Sequence, residues 1–138
     1  MIKILLVDDS KFLRLAMERA LARAGYSICS AADGEEGLAM ARERRPDLIL
    51  LDMLLPKMTG LDVLKALKQD PLTAEIAVVA LTGLSEKNAP RLHHDGAFAF
   101  LQKSELSLDR GCETLLAAVA EIVAKLPEPG ARRAASGK

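Results

Sequence analysis

Polar and charged side chains follow four short apolar runs of the chain, each at the point where the run ends. "ILLV" leads directly into Asp8 and Asp9, "DLILL" into Asp52 and "IAVVAL" into Thr82, while Lys103 stands one residue beyond "AFAFL". Neighbouring carboxylates repel one another and resist leaving water, so Asp8, Asp9 and Asp52 need a cation if the fold brings them to one point. Carboxylate oxygens without His or Cys suit a hard ion, Mg²⁺ above all. These residue types therefore predict a magnesium site.

The same residues also suit phosphate chemistry. Mg²⁺ held by few carboxylates keeps waters and commonly takes a phosphate oxygen as another ligand. A lysine and a hydroxyl opposite, here Lys103 and Thr82, can hold the remaining oxygens of a phosphoryl group. A carboxylate can itself accept that group and form an aspartyl phosphate. Asp52 is the best candidate because it is expected between the acid pair and the Thr82–Lys103 pair, whereas Asp33 is interpreted as a helix cap.

The positions of these side chains depend on an alternation of apolar runs and amphipathic segments. The runs occupy 2–7, 26–32, 47–51, 76–81 and 97–101, and the segments occupy about 10–24, 34–44, 60–69, 85–95 and 108–126. The runs are apolar on successive residues, as strands covered on both faces should be. This pattern predicts an α/β fold, a flavodoxin-like (βα)5 doubly wound parallel sheet with strand order 2-1-3-4-5. Strands one and three are neighbours in that order, so Asp8, Asp9 and Asp52 should meet at one edge of the sheet.

Several residues mark helix boundaries. Ser10 is expected to cap the first helix and Gly25 to end it. Asp33 and Glu36 have the spacing of a capping box at the start of the second helix. Pro90 lacks an N–H group and fits a first helical turn, so the fourth helix should be short and begin near it.

Composition sets the broad class. A length of 138 residues fits about one domain, half of the residues are apolar, and the formal net charge of zero draws the protein to neither nucleic acid nor membrane. Cys29 and Cys112 lack metal-ligand spacing and are expected to be reduced, buried thiols. Neither a signal peptide nor a membrane span is evident, which favours a cytoplasmic protein. Residues 1–126 should form the domain, and the Pro-, Gly- and Ala-rich tail 127–138 should be disordered.

Five motifs together resemble the receiver domain of bacterial two-component response regulators over about residues 2–125: "LLVDDS", "AADGEEGL", "PDLILLDMLLPKMTGLDVL", "VVALTG" and "GAFAFLQK". The resemblance implies a signalling switch in which a sensor histidine kinase or a histidine phosphotransfer protein donates a phosphoryl group to Asp52. It also implies a Mg²⁺ ion bound by Asp9, by Asp52, by the backbone carbonyl of Leu54 and, through water, by Asp8.

Further roles follow from the same resemblance. Lys103 would pair with the acceptor carboxylate and then with the phosphoryl oxygens. Thr82 would donate a hydrogen bond to the phosphoryl group, and Phe100 would be the switch aromatic whose rotamer follows Thr82. The surface made by the fourth helix, the fifth strand and the fifth helix, here called the signalling face, would meet an unknown downstream protein. Such a domain is not a conventional enzyme, although it catalyses its own phosphorylation and dephosphorylation.

The chain departs from the family pattern at a few positions. Thr59 stands where an acidic residue is frequent, and Leu54 and Leu84 place apolar side chains beside the expected site. They could hinder the water that hydrolyses the phosphoryl group. Ser104 replaces the usual proline after Lys103. A cis bond before a non-proline residue costs about 2.5–4 kcal/mol, so the Lys103–Ser104 bond is expected to be trans.

Other interpretations remain open. The chain could be a receiver module of a longer regulator or hybrid kinase, which the full gene length would reveal. An aspartyl-nucleophile phosphatase would usually carry its second Asp two residues after the first, whereas Asp8 and Asp9 are adjacent. A flavin-binding electron carrier would need a hydroxyl-rich loop and aromatic residues, which make up only 3% of the chain. A degenerate receiver would lack key side chains that are all present here, and His93 and His94 are interpreted as surface residues.

Overall fold

Five parallel strands and four helices are described in a computed structural model, which describes residues 2–55, 58–82, 96–102 and 113–126. The elements are β1 (Lys3–Val7), α1 (Lys11–Arg23), β2 (Ser27–Ala31), α2 (Gly34–Arg44), β3 (Leu48–Asp52), α3 (Gly60–Gln69), β4 (Ala77–Thr82), β5 (Ala99–Gln102) and α4 (Glu113–Ala124). Helix α4 is the fifth predicted helix, because the predicted fourth helix lies outside the described residues. The strand order is β2-β1-β3-β4-β5, and every neighbouring pair is parallel. The predicted flavodoxin-like sheet is therefore confirmed.

The core lies on both faces of the sheet. Alternate residues of a strand point to opposite faces, so Leu5 and Val7 of β1 pack towards α2 and α3, while Ile4 and Leu6 pack towards α1 and α4. Strands β3 and β4 are buried along their whole length. Continuous burial on both faces explains why these central strands are apolar on successive residues.

The two edge strands are only partly buried. Strand β2 pairs with β1 alone among the described strands, and Cys29 in its middle is a half-buried free thiol. The expectation that Cys29 is buried was wrong because an edge strand has one side open to solvent. Partial burial nevertheless raises the pKa of the Cys29 thiol, against the opposite effect of Arg44 and Lys3. Cys112 lies outside the described residues.

The predicted helix caps are largely present. The Ser10 side chain accepts a hydrogen bond from the Leu13 N–H (3.3 Å), and Asp33 Oδ1 accepts one from the Glu36 N–H (2.8 Å). Glu36 Oε2, however, accepts from the N–H of Ala32 (3.3 Å), one residue before the cap. The capping box predicted at α2 is therefore only half formed, because the Glu36 side chain reaches past the cap residue.

Several predictions fall outside the described ranges. They concern the helix expected near Pro90, the Lys103–Ser104 bond, His93 and His94, the start of the fifth predicted segment before residue 113, and the tail 127–138. Within the described ranges, the helices are too short or too polar to cross a bilayer.

Candidate functional site

Three aspartates meet where β1 and β3 end. Val7 and Leu51 are paired in the parallel register of these strands, so the residues that follow them, Asp8 and Asp52, lie at the same level at the end of the sheet. One carboxylate oxygen from each of Asp8, Asp9 and Asp52 lies within 4.8 Å of the others. The structure thus brings together the three acids that the strand-end pattern predicted.

The environment of the three carboxylates differs. Asp8 and Asp52 are 0% and 1% exposed, whereas Asp9 is exposed to solvent. Asp8 Oδ1 accepts a hydrogen bond from the Ser10 N–H (2.9 Å), and Asp52 Oδ1 accepts one from the Leu54 N–H (3.0 Å). Each buried carboxylate is thus oriented by a backbone donor two residues further along the chain. The cluster is fixed on its buried side and open to solvent at Asp9.

The donor set fits a hard divalent cation. All three candidate ligands offer carboxylate oxygens, which Mg²⁺ and Ca²⁺ prefer over nitrogen or sulfur. Two buried carboxylates at such short range repel one another strongly unless positive charge lies between or beside them. A bound cation reached from the exposed Asp9 side would supply that charge, and it would leave coordination positions open for water or a phosphate oxygen.

The predicted phosphate-binding side chains belong to the next two strands. Asp52 is paired in register with Leu81, and Thr82, 3% exposed, is the next residue of β4. Thr82 is in turn paired with Gln102, the last residue of β5. Lys103 directly follows Gln102 but lies outside the described residues. The topology therefore places the Thr82 position on the strand beside Asp52.

The predicted switch aromatic is also on β5. Phe100 is paired in register with Ala80 of β4 and is half-buried. It packs against the core cluster on the side of the sheet that α2 and α3 cover. Phe100 therefore lies on the strand that also leads to Lys103, two strands away from Asp52.

The connection from β3 to α3 contains features that the sequence pattern did not reveal. Thr59 Oγ1 accepts from the Asp62 N–H (3.2 Å) and Asp62 Oδ2 accepts from the Thr59 N–H (3.3 Å), which completes a capping box. The next residue, Gly60, is so close to β3 that an added Cβ would lie 2.6 Å from the Asp52 carbonyl oxygen. The side chain of Leu54, by contrast, is 68% exposed beside the acidic cluster.

Comparisons with known proteins agree with this architecture. Residues 4–115 match the family described as response regulator receiver domain. The polar-differentiation response regulator DivK of Brucella anthropi is 34% identical over 113 residues, which are 81% of this chain and 91% of DivK. The alkaline phosphatase synthesis transcriptional regulatory protein PhoP of Bacillus subtilis is 43% identical over 77 residues, which are 56% of this chain but 32% of PhoP.

Solved structures give the same result. The chemotaxis protein CheY4 of Vibrio cholerae superposes with a TM-score of 0.79 at 33% sequence identity, over 88% of this chain and 98% of CheY4.

Although DivK is matched over most of its length, the matched segment spans about a third of PhoP and of AfsQ1 from Streptomyces coelicolor. Because the family match covers most of the chain and the sheet order agrees, the chain belongs to the response regulator receiver domain family, whose members are phosphoacceptor switches in two-component signalling.

Proposed function

We propose that Asp52 is the phosphoacceptor of this receiver domain and that Asp8, Asp9 and Asp52 hold Mg²⁺ beside it. The observation that carries this proposal is the approach of the three carboxylates to within 4.8 Å, with Asp52 buried at the end of the central strand β3. Asp9 and Asp52 would bind the ion directly, together with the backbone carbonyl of Leu54, and Asp8 would bind it through water. Receiver domains in general bind Mg²⁺ through acidic residues, which agrees with this assignment.

The chemistry proposed for Asp52 is attack of a carboxylate oxygen on the phosphorus of a phosphohistidine. The new O–P bond forms while the P–N bond breaks, and the imidazole leaves after taking a proton. The hydrogen bond from the Leu54 N–H to Asp52 Oδ1 (3.0 Å) restricts rotation of the carboxylate, which reduces the entropy lost in reaching the attacking geometry. When bound, Mg²⁺ would neutralise the repulsion between this carboxylate and the anionic phosphoryl oxygens.

Thr82, Lys103 and Phe100 complete the proposed switch. The hydroxyl of Thr82, at the end of β4, would donate to a phosphoryl oxygen, and Lys103 would neutralise the negative charge that remains. A phosphoryl group that binds one arrangement of the loop after β4 better than another shifts the population towards it. Phe100, on the neighbouring strand β5, would follow that movement and change the signalling face.

The proposed phosphodonor is a sensor histidine kinase or a histidine phosphotransfer protein. Its imidazole has to reach Asp52, so it must cover the rim of the site. Two large apolar side chains in the segments beside the acidic cluster are exposed, Phe12 by 80% and Leu54 by 68%. Contact with the donor would remove both from water. The downstream partner would be a protein bound at the signalling face, without direct contact to nucleic acid or membrane.

A second candidate is that the chain works as the receiver module of a longer regulator or hybrid kinase. This candidate is favoured by the match to only about a third of PhoP, whereas the match to 91% of DivK favours a separate receiver. Both candidates use the same site and the same chemistry. The length of the complete gene distinguishes them.

The experiment that tests the assignment of Asp52 is intact-mass spectrometry after incubation with Mg²⁺ and a small phosphodonor. The wild-type protein should gain one phosphoryl group, and the gain should disappear in Asp52→Asn and when Mg²⁺ is chelated. Asp47→Asn is the matched control, because Asp47 is also a buried aspartate, 8% exposed, but accepts a hydrogen bond from the Lys3 N–H at the opposite ends of the strands. Equal phosphoryl uptake by the wild type and Asp52→Asn would contradict the assignment of Asp52 as the phosphoacceptor.

A further inference from the structure

Arg14 in α1 reaches back to the end of β1 and holds the backbone between the two adjacent acids. Its Nη1 donates a hydrogen bond of 2.7 Å to the carbonyl oxygen of Asp8. Its own backbone N–H donates to the Ser10 carbonyl (2.8 Å), so the residue is also part of the first turn of the helix. The side chain is half-buried. Arg14 thus links the first turn of α1 to the strand end that leads into the acidic cluster.

The Asp8 carbonyl is one of three fixed points in this turn. The Asp8 N–H donates to the Ala31 carbonyl of β2 (3.1 Å), and Asp8 Oδ1 accepts from the Ser10 N–H (2.9 Å). Those two contacts position Asp8 itself. The carbonyl of Asp8 belongs to the planar peptide unit that carries the Asp9 nitrogen, so its orientation determines the direction in which the chain enters Asp9.

Asp9 depends on this backbone constraint more than Asp8 does. Its side chain is exposed, so core packing cannot hold it, whereas Asp8 and Asp52 are buried. The hydrogen bond from Arg14 is charge-assisted and therefore stronger than a bond between neutral groups. Loss of that bond would let the peptide rotate and would spread the Asp9 carboxylate over a wider range of positions.

We propose that Arg14 is a positioning residue for the acidic cluster, which holds the Asp8–Asp9 peptide so that the Asp9 carboxylate stays beside Asp8 and Asp52. The inference rests on the proposed Mg²⁺ site. The Arg14 guanidinium itself touches the Asp8 carbonyl and acts on the ion only through the backbone.

Positioning and simple charge predict opposite effects of removing Arg14. By Coulomb's law alone, a guanidinium near a divalent cation repels it, so a neutral replacement should strengthen Mg²⁺ binding. If Arg14 acts by orienting the peptide, the same replacement should weaken Mg²⁺ binding. The sign of the change therefore separates the two explanations.

The experiment is a Mg²⁺ titration of the whole chain, followed by backbone amide NMR shifts, for the wild type, Arg14→Met, Arg14→Lys and Arg19→Met. Arg14→Met should raise the Kd for Mg²⁺ about tenfold, the lower end of the effect of losing a group that orients a metal ligand. Arg14→Lys should recover part of the affinity, since an ammonium can donate to the same carbonyl without the fixed guanidinium geometry. Arg19→Met is the matched control, because it removes the same charge from an exposed position of the same helix.

The outcomes are distinguishable. An Arg14→Met variant that binds Mg²⁺ as tightly as the wild type, or more tightly, overturns the positioning role. An equal loss of affinity in Arg19→Met also overturns it, because the loss would then not depend on the contact with the Asp8 carbonyl. If Arg14→Met fails to fold, Arg14→Ala, which also lacks the side-chain donor, decides, and a Kd equal to that of the wild type overturns the role. Absence of Mg²⁺ binding by the wild type contradicts the proposed site and this inference with it.

Discussion

Replacement of Gly60 by alanine should destabilise the fold by forcing α3 away from the residue proposed to accept phosphate. An added Cβ would lie 2.4 Å from Met53 Cα and 2.6 Å from the Asp52 carbonyl oxygen. Unstrained contacts of this kind are about 3.5–4.0 Å, so the start of α3 has to move by roughly 1 Å. Because both obstacles are backbone atoms, they cannot rotate away. Overpacking typically costs about 1–3 kcal/mol, and we expect about 3 kcal/mol here.

Gly34→Ala is the matched control. Gly34 is the first residue of α2, as Gly60 is of α3, but its added Cβ would meet side-chain atoms, Val63 Cγ2 at 2.8 Å and Met58 Sδ at 3.2 Å. Val63 is buried and β-branched, so its methyl group has to shift, but one side chain shifts at lower cost than two backbone atoms, and alanine is the better helix former. The free energy of unfolding of Gly34→Ala should therefore lie within about 1 kcal/mol of the wild type.

The assay is urea unfolding of the wild type and both variants, compared through the transition midpoints at equal m-values. The free energies of unfolding of Gly60→Ala and Gly34→Ala should differ by about 2 kcal/mol, with Gly60→Ala the less stable. Mg²⁺ binding by folded Gly60→Ala should also weaken, because the displaced backbone belongs to Asp52 and its neighbour. Equal stability of the two variants would show that the close approach at Gly60 does not constrain the site.

Three further predictions concern the structure around the core. Thr59→Ala removes the capping box of α3 and should lower the free energy of unfolding, measured in urea, by about 1 kcal/mol. Asp62→Ala should have a smaller effect. An unchanged stability of Thr59→Ala would contradict the role of the cap. In a Cys112→Ser background, the rate of Cys29 alkylation should reach half of its maximum above pH 9.0 in the folded protein and near pH 9.0 in urea. The reason is that burial raises the pKa of this thiol in the folded protein. A half-maximal rate below pH 9.0 in the folded protein would refute this. Burial lowers the pKa of Lys68 in the folded protein below 10.5, the ordinary value that applies to the unfolded chain. Between the folded and unfolded pKa values the unfolded chain binds more protons, so the free energy of unfolding should rise with pH there. Lys68→Met should abolish that rise in urea unfolding measured as a function of pH, and a rise that persists in Lys68→Met would assign it to other groups.

The sequence predicted the sheet because its central strands leave a strong signal. Burial on both faces makes β1, β3 and β4 apolar on successive residues, and the parallel order then fixes where each strand ends. Edge strands lack that constraint, which is why Cys29 was predicted to be buried and is only half-buried. The reach of the Glu36 side chain to the Ala32 N–H depends on its rotamer, which residue spacing alone does not determine.

The candidate site also contains residues that the sequence predicted and residues that it did not. Asp8, Asp9 and Asp52 could be predicted together because each stands at or just beyond the end of a strand and carries distinctive chemistry. Gly60 and Arg14 could not, since their roles depend on distances to backbone atoms. A carbonyl oxygen is present in every residue, so no residue type in the sequence indicates that the Asp8 carbonyl accepts from Arg14 or that the Asp52 carbonyl lies against Gly60.

The identity of Asp52 as the phosphoacceptor is tested most directly by locating the phosphoryl group in the protein. Borohydride reduces an aspartyl phosphate to an alcohol, which converts the modified aspartate into homoserine, and peptide mass spectrometry then identifies the position. After phosphorylation in the presence of Mg²⁺, we expect homoserine at position 52 and at no other position. Homoserine in place of Asp8 or Asp9, or a stable phosphoryl group on a histidine, would contradict the assignment.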